Sequence, residues 1–307
     1  MTKPGPETKT AEATPPAPEA KVVLDPRRHA FRPDLAAENL EGKVSATRFA
    51  TGTKRQVARA AVPLRRMPEP AAPLDTEALF GETLTVYDEA GGWAWVQLER
   101  DRYVGYVPAD ALSADIVEPT HRVRALGTFV HLAPDIKSPP LMHLSINALV
   151  RVKERGDKIS KLAGGGFVVT RHLGERGQFA RDFVDVAERL AGTPYLWGGR
   201  TRIGLDCSGL VQISLEAAGL ACPRDSDMQA AELGTAVPIT EALDNLERGD
   251  LVFWQGHVGI MADGLMLVHA NAHHMAVTIE TLPEAAQRIA KAGSEITAIK
   301  RLPALAA

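Results

Sequence analysis

A chain of 307 residues is long enough for two or three compact units, each burying its own core. Apolar residues make up 45% and charged residues 24%, an ordinary balance for a globular protein that argues against disorder over most of the length. A formal net charge of -3 leaves no basic excess to neutralise a phosphate backbone, so nucleic acid is excluded as a partner; no run approaches the roughly 18 apolar residues of a membrane helix, so no membrane partner is expected.

Residues 1–24 are rich in Pro, Lys, Glu and Thr and read as a disordered tail. They hold no apolar run resembling a signal-peptide core, so the chain is expected in the cytoplasm. Residues 25–115 form the next unit. Its opening stretch, Asp25 to Pro33, is punctuated by Pro and Arg and is expected to lie along a neighbouring surface. Short β-type runs follow at Val57–Val62, Thr83–Tyr87, Trp93–Leu98 and Tyr103–Pro108, separated by Pro- or Gly-bearing turns. Within Trp93–Leu98, Trp93, Trp95 and Gln97 share one face and Ala94, Val96 and Leu98 the other, the alternation of a small barrel.

Residues 116–174 read as a second pass of the same kind, with runs at Val123–Leu126, Ala148–Lys153 and Lys158–Leu162. This pass closes with Gly166–Val169 where the first closes with Gly105–Pro108. One irregular β-domain is the alternative. Residues 175–307 turn helical and then mixed, so the fold class is α+β. Phe179, Phe183, Val186, Ala187 and Leu190 fall on one helical stripe, which Gly192 and Pro194 end.

Asp206 is a suitable N-cap for a helix running to Gly219, which puts Cys207 in the first turn. Unpaired amides and the helix dipole there favour an anion, so the thiol is expected to ionise more readily than a free one. The same amides could hold a developing oxyanion. The alternative is a small buried Cys at a helix start. Cys207 and Cys222 are separated by a helical interval too long for a disulfide, so two free thiols are expected.

A base is offered by His257, at the start of a β-type run joined through Ala262-Asp263-Gly264 to a second run that carries His269. A two-residue loop would send the two imidazoles to opposite faces. A three-residue loop with Gly264 left-handed would pair Met261 with Leu265 and set His257 directly opposite His269; that is the register predicted. His269 would then orient His257 towards Cys207. A zinc site from Cys207, His269, His273 and His274 matches no compact ligand spacing, since adjacent His on an extended segment diverge; no metal or other cofactor is expected.

The segments GTPYLWGG, GLDCSGLV, PRDSDMQ, RGDLVFW and HVGIMADG with LVHANA, taken together, resemble the motif set of the NlpC/P60 cysteine peptidases over roughly Gln178 to Leu302. The order Cys, His, His argues against the permuted lipid-acting relatives. GWAWV and GYVP in the first β-unit, and GGFVV in the second, resemble bacterial SH3-type barrels, so the implied architecture is a papain-like domain preceded by two small SH3-like barrels. The resemblance implies Cys207 as nucleophile, His257 as base and His269 as third polar residue. It assigns Tyr195, Trp197, Asp206, Ser208, Asp225 and Ser226 to the substrate, Asp225 and Ser226 matching where relatives bind the free amine of a terminal L-alanine. Glu77, Glu82, Tyr103 and Tyr106 are candidates for a barrel's contribution to the cleft. The implied reaction is hydrolysis of the γ-D-glutamyl–diamino acid amide bond of murein peptides, releasing L-Ala-γ-D-Glu in recycling. An exported wall-cleaving endopeptidase, or an inert wall- or protein-binding module, is the alternative.

Overall fold

The computed structural model describes residues 24–303, so all but Leu24 of the predicted disordered tail lies outside the described residues. Three β-rich or mixed units follow one another. In the first, seven antiparallel strands run in the spatial order Leu112–Ser113, Thr53–Val57, Thr83–Ala90, Trp93–Leu98, Val104–Pro108, Ala61–Arg65, Leu74–Leu79. The outer strands do not pair among the described residues, so the sheet stays open where a closed barrel was expected. The predicted run Val57–Val62 is two strands, because the chain leaves one part of the sheet at Val57 and re-enters another at Ala61.

Ala94, Val96 and Leu98 face the core of this sheet with Leu64, Leu84 and Val107. The opposite face is covered too: Trp95 packs against Ala30, Leu35, Ala37 and Leu40 of the preceding segment, with the Arg32 guanidinium 4.6 Å from its ring centre. Two-sided burial explains why this strand is apolar at almost every position.

The second unit has a three-stranded and a five-stranded antiparallel sheet around Val123, Val130, Leu144, Val150, Leu162 and Val168. It too is open among the described residues. Strands Gly127–His131 and Pro140–Ser145, which the sequence reading passes over, form its longest hairpin.

The third unit is a six-stranded antiparallel sheet with helices on both faces. Its helices are α1 (Phe183–Arg189), α2 (Cys207–Ala217), α3 (Ser226–Glu232) and α4 (Leu282–Lys291). Helix α1 begins later than the apolar stripe suggests, because the Asp182 carboxylate caps it by accepting from the Val184 amide at 2.8 Å; Phe179 stays outside and rests against Arg122. Helix α2 packs Leu210, Val211 and Ile213 on Val258, Ile260, Val268 and Ala270. Helix α4 covers the other face, where Leu282 and Ala285 meet Val252, Trp254, Met261 and Leu267.

The first and third units meet through buried charge. Arg200 is fully buried; its guanidinium donates to Glu82 at 3.0 Å and to Glu216 of α2, while its backbone amide donates to Glu77 at 2.7 Å. Arg100 joins the cluster at 2.8 Å from both Asp101 and Glu216. Removing one cation from such a cluster strands its partners in a dry interior. Arg200→Met is therefore expected to destabilise the protein by about 3–5 kcal/mol in urea unfolding, while a loss under about 1 kcal/mol would show the junction to be no stronger than a surface pair.

Candidate active site

Cys207 is the first residue of α2, and its placement follows from Asp206. Asp206 keeps extended backbone angles, and its Oδ1 accepts the Gly209 amide at 2.7 Å, ending the preceding turn and starting the helix. Its Oδ2 accepts from the Gly198 amide at 2.8 Å and from Arg224 Nη2 at 2.7 Å. Arg224 also donates to Ser208 Oγ at 2.7 Å and to Thr76 Oγ1 of the first unit at 2.9 Å. Asp206 and Ser208, expected at the substrate, are thus buried and bonded internally, so their side chains hold the turn that carries Cys207. At the far end of α2, Gly219 takes φ of 83° and lets the Leu220 amide reach back to Leu215.

The Cys207 side chain is 7% exposed, and its Sγ lies 3.9 Å from the carbonyl of Gly256, the residue before His257. The Cys207 amide donates to nothing among the described residues, as expected of a first-turn N–H, and remains available to an oxyanion. Burial, then the Asp206 carboxylate, pushes the thiol up to about 12; the Val258 amide, Arg224 and the Ser208 amide pull less strongly the other way. This reverses the expectation of an easily ionised thiol: the helix end favours charge, but desolvation outweighs it.

His257 opens its strand and stacks near Trp254, ring centres 5.5 Å apart. Its Nε2 is 2.8 Å from His269 Nδ1, and His269 Nε2 is 2.7 Å from Glu280 Oε1. Arg288 of α4 grips both Glu280 oxygens at 2.6 Å. Because an ionised carboxylate only accepts, Glu280 sets every tautomer in the row. His269 donates from Nε2, so its Nδ1 accepts from His257 Nε2–H, and His257 Nδ1 is left bare to take a proton. Burial, then His269 and Arg288, holds His257 down at about 3, so the resting pair is neutral thiol and neutral imidazole. Against its own burial, hydrogen bonds from Arg288 and His269 keep Glu280 at about 2.

The hairpin register differs from the predicted one. Ile260 pairs with Val268, Met261 with Leu267, and the Ala262 amide donates to Met266 O at 2.7 Å, leaving Asp263-Gly264-Leu265 as the loop. Gly264 is not left-handed; instead Asp263 Oδ1 accepts from the amides of Leu265 and Met266, both at 2.8 Å. The shift is two residues, which preserves the face, so His257 and His269 are diagonal neighbours rather than directly opposed.

Both nitrogens of His269 are engaged, which leaves none for a metal, and among the described residues no group of three or more His, Cys, Asp or Glu is arranged so that it could hold a metal ion. His273 and His274 do not diverge: their rings meet edge to face at 4.7 Å in an exposed turn. Cys207 and Cys222 are both free and buried. Tyr195 is half-buried, and burial followed by the charges of Cys207 and Asp206 raises its phenol. Trp197 is 66% exposed, so it lies outside the core.

Asp225, ahead of α3, accepts on Oδ2 from the Tyr103 hydroxyl at 3.0 Å and from Arg27 Nη1 at 2.9 Å. Ser226 is half-buried beside it. Of the candidates on the first unit, Tyr103 reaches Asp225, Glu77 and Glu82 serve Arg200, and Tyr106 accepts from Arg32 at 3.0 Å. Sequence reading missed Glu280, Arg288 and Arg27. Glu280 and Arg288, eight residues apart across a strand-to-helix turn, left a weak trace as opposite charges; Arg27 left none.

Residues 64–112 match the bacterial dipeptidyl-peptidase Sh3 domain, and residues 192–291 match the NlpC/P60 family. The chain is 28% identical over 234 residues to the gamma-D-glutamyl-L-lysine dipeptidyl-peptidase of Bacillus subtilis (strain 168), covering 69% of this chain and 77% of that one. It is 28% identical over 242 residues to dipeptidyl-peptidase 6 of Lysinibacillus sphaericus, covering 71% and 87%. The fold is similar to that of an NlpC/P60 family protein from Bacillus cereus ATCC 10987, with TM-score 0.69 and 21% identity over 82% of this chain and all of that one.

Two outcomes test the electrostatics. A resting thiol predicts that iodoacetamide alkylation of Cys207 is slow at neutral pH and keeps rising beyond about pH 9, whereas a plateau by about pH 6 would reveal a preformed thiolate. Glu280 has a folded pKa below its ordinary 4.5, so its contribution is complete above about pH 5 and is lost as pH falls towards about 2. The stability gap between the protein and its Glu280→Gln variant is expected to narrow over that window; a gap independent of pH would contradict the pairing.

Proposed function

We propose, from the match of residues 192–291 to the NlpC/P60 family, that this chain is a cysteine peptidase acting on the γ-D-glutamyl–diamino acid amide bond of murein peptides with a free terminal L-alanine. The row His257, His269, Glu280, with Cys207 Sγ 3.9 Å from the carbonyl of Gly256 just before His257, carries the reading. Cys207 Sγ attacks the γ-carbonyl carbon as His257 Nδ1 takes the thiol proton, and the Cys207 amide receives the oxyanion. His257, now charged, is held by His269 and Glu280 and returns the proton to the leaving amine as the C–N bond breaks. Water then attacks the thioester with His257 as base, releasing L-Ala-γ-D-Glu and restoring the thiol.

The amino-end requirement is supported by Asp225, a carboxylate backed by Tyr103 where an ammonium could make a charge-assisted hydrogen bond. Tyr195, Trp197 and Ser226 complete the substrate side of the proposal. We read both β-units as SH3-like modules, the first walling the cleft, and the enzyme as acting in the cytoplasm on peptides released during wall turnover.

Incubation with L-Ala-γ-D-Glu-L-Lys and with its N-acetylated form, followed by mass spectrometry, tests this. Free tripeptide is expected to give L-Ala-γ-D-Glu and lysine, with the acetylated form at least about 10-fold slower, the scale of one lost charged hydrogen bond. Equal rates would remove the amino-end requirement. Cys207→Ala is expected to give no product; turnover by that variant would remove the peptidase reading.

A further inference from the structure

The segment ahead of the first β-unit does more than cover Trp95. Its backbone is pinned: Arg27 O accepts the Val104 amide at 2.8 Å, Arg28 O accepts from Gln97 Nε2 at 2.7 Å, and the His29 amide donates to Asp25 O at 2.9 Å. Arg28 further pairs with Glu232 at the end of α3. The strap thus ties the first unit to the segment that carries Asp225, and it presents Arg27 there.

Arg27 meets three carboxylates: Asp25 at 2.7 Å, Asp227 at 2.7 Å and Asp225 at 2.9 Å. Its bond to Asp225 and that of the Tyr103 hydroxyl both fall on Oδ2. Oδ1 of Asp225 accepts nothing among the described residues. Two donors on one oxygen fix the carboxylate's rotation and leave the other oxygen unengaged. Three acids around one guanidinium also leave the cluster net negative, so a further cation is attracted despite Arg27. A cavity of about 890 Å³ lies on the Arg27 side of the cluster, lined among others by Asp25, Arg27, Asp75 and Tyr103 but not by Asp225 itself.

We propose that Arg27 is a positioning residue for the substrate's amino end, holding Asp225 so that Oδ1 receives the ammonium of a peptide with a free N-terminus. The inference rests on the reading of Asp225 given above.

The test uses the full chain, with kcat and KM measured on free and N-acetylated L-Ala-γ-D-Glu-L-Lys for Arg27→Gln, Arg27→Lys and Asp225→Asn. Arg27→Gln is expected to raise KM for the free peptide about 10-fold with kcat within about twofold, to leave kcat/KM for the acetylated peptide unchanged, and so to approach the poor discrimination of Asp225→Asn. Arg27→Lys should recover part of the loss. If Asp225→Asn abolishes discrimination and Arg27→Gln keeps it, or if Arg27→Gln lowers kcat equally on both peptides, the inference is overturned and the amino-end reading stands. If Asp225→Asn itself discriminates like the parent, that reading falls and this inference with it.

Discussion

One buried carboxylate organises the centre of this protein. Asp206 accepts the Gly209 amide and starts α2, accepts the Gly198 amide and closes the preceding loop, and pairs with Arg224, which reaches Ser208 and, across the unit boundary, Thr76. Three separate pieces of chain converge on two oxygens, and Arg224 ties in a fourth. An interior ion pair contributes little net stability when intact, but it has few alternative partners and therefore specifies geometry. Here it specifies where a sulfur emerges and where Asp225, the next residue after Arg224, must stand.

The same carboxylate works against the sulfur it places. Burial and Asp206 together raise the Cys207 thiol, while burial, His269 and Arg288 depress His257, so a proton has little reason to move between them at rest. Glu280 supplies the compensating charge two imidazoles away. In the proposed reaction its fixed negative charge is of little use to a neutral His257 and of more use to the imidazolium formed during attack, an interaction stronger in the transition state than in the ground state. Arg288 keeps that carboxylate ionised from α4, on the far face of the sheet.

The first β-rich unit docks on the third through side chains of one sheet. Strand Leu74–Leu79 brings Thr76 and Glu77 to Arg224 and Arg200, and Tyr103 comes to Asp225 from the same sheet. An open sheet suits this better than a closed one, since its last strand has an edge free to dock. The strap from Asp25 onward, pinned to Val104 and Gln97, extends that contact past the sheet itself.

Sequence alone determined what depends on near neighbours. Asp206 before Cys207, Gly219 behind α2, the alternation in Trp93–Leu98 and the shared face of His257 and His269 all follow from local backbone rules, and the face survived a two-residue register error because side-chain direction has a period of two. The tertiary structure decided what depends on distant chain. The depth that reverses the expected acidity of Cys207, the Glu280–Arg288 pair behind the imidazoles, and the Arg27 contact to Asp225, which spans 198 positions, carry no local signature. Desolvation and long-range charge pairing are properties of the assembled interior, and only folding brings their partners within reach.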